Sequence, residues 1–139
     1  MTSPQLENLV RIGALKPEPY DRKEFENLVR SGRVRLRDAH NAALSGESRF
    51  DLAYNAAHAL ALAALRSRGY RTDKRYFVFQ CLPHTLGLGP EIWRVLALCH
   101  ERRNKIEYEG LYDIEEQLIT DLITAADRLL VAVEQLESP

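Results

Sequence analysis

The sequence contains few of the residues that mark secreted or membrane-spanning proteins. Its two cysteines, Cys81 and Cys99, lie in apolar runs without a Cys-x-x-Cys pair, which indicates small core residues kept reduced. No apolar run approaches the length of a membrane span, and "MTSPQLENLV" has no basic start followed by a long apolar stretch. We therefore expect a cytoplasmic protein with no signal peptide and no membrane segment.

A strong excess of charge of one sign is also lacking. The formal net charge is -1, so no global field draws the chain to nucleic acid or to a membrane. The basic residues are nevertheless uneven, with fifteen arginines and four lysines. Arginine is the better residue for bidentate contacts to phosphate or carboxylate, although a GC-rich genome would enrich it as well.

Motifs of the common enzyme classes are missing. The sequence has no Gly-x-Ser-x-Gly element, Walker-type loop or dinucleotide-binding glycine pattern. Its histidines have no i, i+4 partner and no acidic ligand pattern, so no metal site and no cofactor are predicted. One of them, His58, lies in an alanine-rich segment and is expected to be a core histidine. The four are His40, His58, His84 and His100.

Helical periodicity is what the sequence has throughout. Strand-like alternation is nowhere sustained, whereas apolar residues recur near a period of 3.6 in several long segments. Seven alanines between Ala53 and Ala64 predict a helix at the centre of a bundle. The fold class is therefore all-α: an up-and-down bundle of four to five main helices plus a short N-terminal helix, in one domain over residues 1–139. The long segments are 20–44, 49–69, 90–109 and 113–137.

The stretches between these segments predict where the helices begin and which residues cap them. "YFVFQC" fits a helix or a strand, and we favour a helix, capped by Thr72 or Asp73, because a lone strand would have no partner. "PHTLGLGP" reads as a loop, after which a helix begins at Pro90 or Glu91. Asp113 is expected to cap the last helix, and Ser45 or Ser48 the alanine-rich one; these caps are side chains that accept backbone hydrogen bonds.

The stretch "ERRNKIEYEG", residues 101–110, interrupts an apolar stripe that runs through Ile92, Cys99 and Ile106. Arg103 lies on this stripe beside Arg102. A guanidinium on an apolar face is paired, borders a groove or interface, or reaches water where the stripe leaves the core. Candidate partners are Asp51 and Asp127.

Together, "AYNAAHALALAALRSRGYR" and "LCHERRNKIEYEG" resemble HEPN domains, which are small all-α domains of prokaryotic toxin–antitoxin and defence proteins. The resemblance covers roughly residues 20 to 136. It implies a bundle that dimerises so that two arginine-bearing helix ends face each other. Ribonuclease members of the family carry an Arg, a polar residue, three more positions and a His. Arg103 and Asn104 match the start of this pattern.

The fifth residue after Arg103 is Tyr108, where the family pattern has His. A tyrosine hydroxyl has a reference pKa of about 10, against about 6.5 for His, so it is a poor proton shuttle at neutral pH. It can still bind phosphate or stack on a base, or it can close the helix end by packing with Leu111 and Tyr112. His100, about one turn before Arg103, is outside the family's arrangement.

Three functions remain open at this point. The first is a non-catalytic HEPN-like homodimer that binds RNA, a nucleotide or a nucleotidyltransferase-type partner protein, within a toxin–antitoxin or defence system. The second is an active metal-independent endoribonuclease that uses Arg103, Asn104 and Tyr108. The third is a structural adaptor. The binding residues expected for the first are His100, Arg102, Arg103, Asn104 and Tyr108, with Asp51 as a nearby carboxylate.

Overall fold

The computed structural model describes residues 3–110 and 113–137 and is an all-α helical bundle, as predicted. No helix of these residues is long and apolar enough to cross a membrane. The elements in chain order are α1 (Pro4–Arg11), β1 (Lys16–Pro17), α2 (Arg22–Ala39), α3 (Gly46–Ser67), β2 (Tyr70–Arg71), α4 (Arg75–Gln80), α5 (Leu82–Thr85), α6 (Pro90–Glu109) and α7 (Glu116–Glu137).

Helix α3 lies at the centre of the bundle, where it contacts α2, α4, α5, α6 and α7. The seven alanines of this helix are all buried, which confirms the prediction from its composition. Small side chains allow neighbouring helices to approach closely, and the α2 helix does so at Gly32. A Cβ placed on Gly32 would lie 2.6 Å from the Cγ of Leu60.

Several helix ends are set by residues that the sequence singles out. The Ser45 hydroxyl accepts a hydrogen bond from the Ser48 backbone N–H at 3.1 Å and caps α3. Helix α6 begins at Pro90, a favoured first position, and ends at Gly110 in the left-handed conformation. The apolar stripe of α7 is buried as predicted. Its members are Leu118, Leu122, Ala125, Leu129 and Val133.

Three local predictions are wrong. "PHTLGLGP" is not all loop, because α5 extends through Thr85 and the irregular part is confined to residues 86–89. Asp113 does not cap α7, since that helix begins three residues later at Glu116. Neither Thr72 nor Asp73 caps α4, because the residue at its N-cap position is Lys74, which makes no side-chain cap hydrogen bond. The Thr72 hydroxyl instead accepts a hydrogen bond from the Lys74 backbone N–H at 3.2 Å.

A minimal sheet joins the N-terminal arm to the end of α3. Strands β1 and β2 pair antiparallel, with Lys16 opposite Arg71. Beneath them lies Arg66, which is 1% exposed and donates to a Glu24 carboxylate oxygen at 2.5 Å and to the Pro19 carbonyl at 2.6 Å. This buried arginine fixes the arm to the bundle.

Candidate phosphate-binding site

The C-terminal half of α6 carries most of the polar residues predicted for a site. Arg103 and Asn104 lie three and four residues after His100, so both are on the same side of the helix as His100. The apolar stripe of α6 is buried at Ile92, Leu96 and Cys99 and leaves the core near Arg103. The polar face therefore begins where the core ends.

Tyr54 of α3 lies under this polar face. Tyr54 is fully buried, and its hydroxyl oxygen lies 3.0 Å from the Nδ1 atom of His100. The other ring nitrogen of His100, Nε2, lies 3.4 Å from the Asn104 amide nitrogen. These two contacts hold the His100 ring in one orientation. A buried tyrosine needs a hydrogen-bond partner, and α6 provides it.

Two guanidinium groups stack on the ring of Tyr54. The Cζ atom of Arg103 lies 5.2 Å from the ring centroid, and the Cζ atom of Arg75, at the start of α4, lies 5.5 Å from it. Both distances are in the range of cation–π contacts. We refer to Tyr54, Arg75, His100, Arg103 and Asn104 as the Tyr54 cluster. It brings together three helices, α3, α4 and α6.

The two arginines differ in their other partners. Arg103, with its side chain 28% exposed, donates to the Glu107 carboxylate one turn further along α6, at 3.2 Å. Arg75 donates to the amide oxygen of Asn55 at 3.0 Å. Within residues 3–110 and 113–137, no carboxylate forms an ion pair with Arg75. The hydrogen-bond partner of Arg75 is thus an uncharged amide, which does not neutralise its positive charge.

Burial and these cations act on the nearby histidines. The pKa of His100 is lowered, chiefly by burial and to a smaller extent by the charges of Arg103 and Arg75. Burial, with smaller contributions from the same two arginines, lowers the pKa of His58 to about 4. Both shifts favour the uncharged form of the histidine at neutral pH, so the positive charge of the cluster lies mainly on its arginines. His58 packs edge-on against Phe79, as expected of a core histidine.

Arg103 does pair with a carboxylate, but among the described residues this is Glu107 and neither of the two candidates, Asp51 and Asp127. Asp127 lies 2.9 Å from His40 instead, at the junction of α2 and α7. Asp51 and Arg103 line a common cavity of about 540 Å³, but no ion pair joins them in the described part of the chain. Glu107 is the partner because its side chain lies four residues from Arg103 on the same helix face.

Two other predicted binding residues lie outside the cluster. Tyr108 is 80% exposed, and five residues of helix place it about 140° around the axis from Arg103. Leu111 and Tyr112, its proposed packing partners, lie outside the described residues. Arg102 contacts Glu115 at 3.2 Å. The structure thus brings together His100, Arg103 and Asn104 but neither Arg102 nor Tyr108.

Sequence reasoning did not single out Tyr54 and Arg75. Arg75 had no usable signal, since it begins a short helix far from α6 in the chain. Tyr54 had a weak one: a tyrosine in an otherwise apolar, alanine-rich helix needs a buried polar partner.

The described residues contain no group of three or more His, Cys, Asp or Glu side chains that could hold a metal ion. What the cluster offers chemically is guanidinium, imidazole and amide groups around one aromatic ring, a set suited to phosphate oxygens. No family model and no curated protein matches the chain.

Proposed function

We propose that the chain is a HEPN-like helical module that binds RNA through the Tyr54 cluster and does not cleave it. The observation that carries this proposal is the pair of guanidinium groups, on Arg75 and Arg103, over the ring of Tyr54. Partly buried arginines pre-positioned on an aromatic ring lose little conformational freedom when they bind phosphate. A toxin–antitoxin or defence setting, with a nucleotidyltransferase-type partner, belongs to the same proposal.

The lack of cleavage follows from the acid–base groups. Cleavage beside a 2′-hydroxyl is accelerated by a proton acceptor and a proton donor, each worth roughly 10²–10⁴-fold. A neutral His100 can accept a proton, but its ring nitrogens already contact Tyr54 and Asn104. Tyr108, at the position of the family's His, lies on another face of α6. Binding without cleavage is the function that this arrangement favours.

The proposal includes a homodimer formed through the C-terminal part of α6. Its support is the Arg103 guanidinium on the apolar stripe of that helix, at the point where the stripe leaves the core. A specific dimer buries at least about 1,000 Å² in total. Light scattering at tens of micromolar protein is expected to give twice the monomer mass. A monomer mass would refute the dimer.

The proposed function is tested by incubating the protein with labelled single-stranded RNA at two salt concentrations, scored for binding and for cleavage. Binding is expected to weaken as salt rises, because phosphate contacts release counterions. Arg103→Ala is expected to weaken binding tenfold or more, since a hydrogen bond to a charged group is worth about 1.5–3 kcal/mol.

Arg22→Ala is the matched control for this experiment. Arg22 also pairs with a glutamate four residues along its own helix, Glu26, at 2.9 Å, but it lies on α2. The control removes the same charge and the same type of ion pair, and it is expected to leave affinity within about twofold. No RNA binding by the natural protein would refute the proposal. RNA cleavage that disappears in Arg103→Ala would instead establish the endoribonuclease alternative.

A further inference from the structure

Tyr76 is an exposed aromatic residue at the edge of the Tyr54 cluster. It is the second residue of α4, directly after Arg75, and it is 41% exposed. Its ring lies 6.1 Å from the ring of His100, centroid to centroid, at an interplanar angle of 54°. Tyr76 therefore extends the cluster toward solvent by one aromatic ring.

Tyr76 is packed less fully than its neighbours further along α4. Val78 and Phe79, two and three residues further on, are buried in the core. Tyr76 forms no hydrogen bond through its hydroxyl within the described residues. Its ring contacts the rings of His100 and Phe77, and the residue keeps 41% of its surface exposed. An exposed ring of this kind gives up burial energy that a core aromatic would gain.

Two other tyrosines are exposed, and neither of them contacts the Tyr54 cluster through its ring within the described residues. Tyr20 and Tyr108 are 50% and 80% exposed. Tyr20 packs on Phe25 at the start of α2, with ring centroids 5.9 Å apart. Of the exposed tyrosines that the structure describes, Tyr76 is the one whose ring contacts a member of the Tyr54 cluster.

We propose that Tyr76 is a base-stacking platform and that the site selects single-stranded RNA, with one phosphate at Arg75 and Arg103 and an adjacent unpaired base on the Tyr76 ring. This inference rests on the proposed function and deepens it. A base offers a π-face to an aromatic side chain only when it is unpaired and unstacked, whereas phosphates alone do not distinguish single strands from duplexes. Arg75 directly precedes Tyr76 in α4, and the Tyr76 ring contacts His100, which lies three residues before Arg103, so the cations and the exposed ring belong to one group of residues.

The test separates the base from the phosphates. Affinity is measured for an eight-nucleotide oligouridylate and for an abasic ribose-phosphate chain of the same length, with the natural protein, Tyr76→Ala, Tyr76→Phe and the control Tyr20→Ala. The natural protein is expected to bind the oligouridylate more tightly than the abasic chain. Tyr76→Ala is expected to weaken oligouridylate binding about 5- to 100-fold and to leave abasic binding unchanged.

The remaining variants define how the inference fails. Tyr76→Phe keeps the ring and is expected to keep the preference for bases, as is Tyr20→Ala. Equal binding of both ligands by the natural protein would overturn the stacking inference while leaving phosphate binding intact. An equal loss for both ligands in Tyr76→Ala, or no loss, would overturn it as well. Binding of neither ligand by the natural protein would overturn the proposed function together with the inference.

Discussion

Replacement of Arg66 by methionine is expected to destabilise the fold by about 3 kcal/mol. The Arg66 side chain is only 2% exposed and donates to the Glu24 carboxylate at 2.5 Å. It also donates to the backbone carbonyls of Glu18 and Pro19, at 2.9 and 2.6 Å. Methionine fills part of the same volume but leaves all of these acceptors without their donor.

The magnitude follows from how well each acceptor can find a substitute. Removing one partner of a buried ion pair costs about 3–5 kcal/mol, because the other charge stays buried and unpaired. Here the Glu24 side chain is 32% exposed and keeps a second partner in Arg71. Pro19 is also an exposed residue, in contrast to the buried Arg66. We therefore expect the lower end of the range, which corresponds to a fall in Tm of roughly 10 °C.

Urea denaturation at pH 7 measures this cost, with Arg22→Met as the control on an exposed helix face. The control is expected to change the free energy of unfolding by less than about 0.5 kcal/mol. Arg66→Lys keeps the charge without the planar fork and should fall between the natural protein and Arg66→Met. A cost below about 1 kcal/mol for Arg66→Met would refute the argument that this arginine fixes the N-terminal arm.

Three further predictions concern the core and the histidines. The pKa of His58 is lowered from an ordinary 6.5 to about 4 in the folded protein, so the unfolded chain binds more protons between these two pH values. The free energy of unfolding therefore loses nothing to this titration above pH 6.5 and falls by about 3 kcal/mol as the pH falls toward 4. His58→Leu should reduce this loss, measured by urea denaturation at pH 7 and 4.5. Gly32→Ala should destabilise by about 1 kcal/mol in the same assay, since overpacking against Leu60 outweighs the helix preference of alanine, and a gain in stability would contradict that close approach. His100 should titrate below its ordinary pKa in an NMR titration, and Arg103→Ala should raise that pKa because a repelling cation is removed; an unchanged pKa would place Arg103 elsewhere.

The sequence predicts those parts of the fold that depend on local pattern. Long amphipathic periods, the small residues of α3, and the start of α6 at Pro90 are all local features, and each is confirmed. Helix α5 has only four residues, too few for any period to appear, so "PHTLGLGP" reads as loop. Strands β1 and β2 have two residues each and pair across more than fifty residues of chain, where Arg66 and Arg71 also bind Glu18 of the arm, so no local pattern predicts them.

The candidate site, like the fold, can be predicted from the sequence only where it depends on local spacing. Arg103 and Asn104 lie three and four residues after His100 on one helix, so local spacing alone brings these three residues together. Tyr54 reaches His100 across 46 residues of sequence. Tyr54 and Arg75 join the group only through the packing of α3 and α4 on α6, which helical spacing does not reveal. The expectation for Tyr108 came from the family resemblance, and in this structure Tyr108 lies apart from Arg103.

A double-mutant cycle on Arg75 and Arg103 tests the central claim most directly. Affinity for the eight-nucleotide oligouridylate is measured for the natural protein, each alanine variant and the double variant. If both guanidinium groups bind one phosphate, each single change weakens binding about tenfold or more, and the double change weakens it by much less than the product of the two. Single changes no larger than that of Arg22→Ala, or independent effects that multiply, would contradict a shared phosphate site at the Tyr54 cluster.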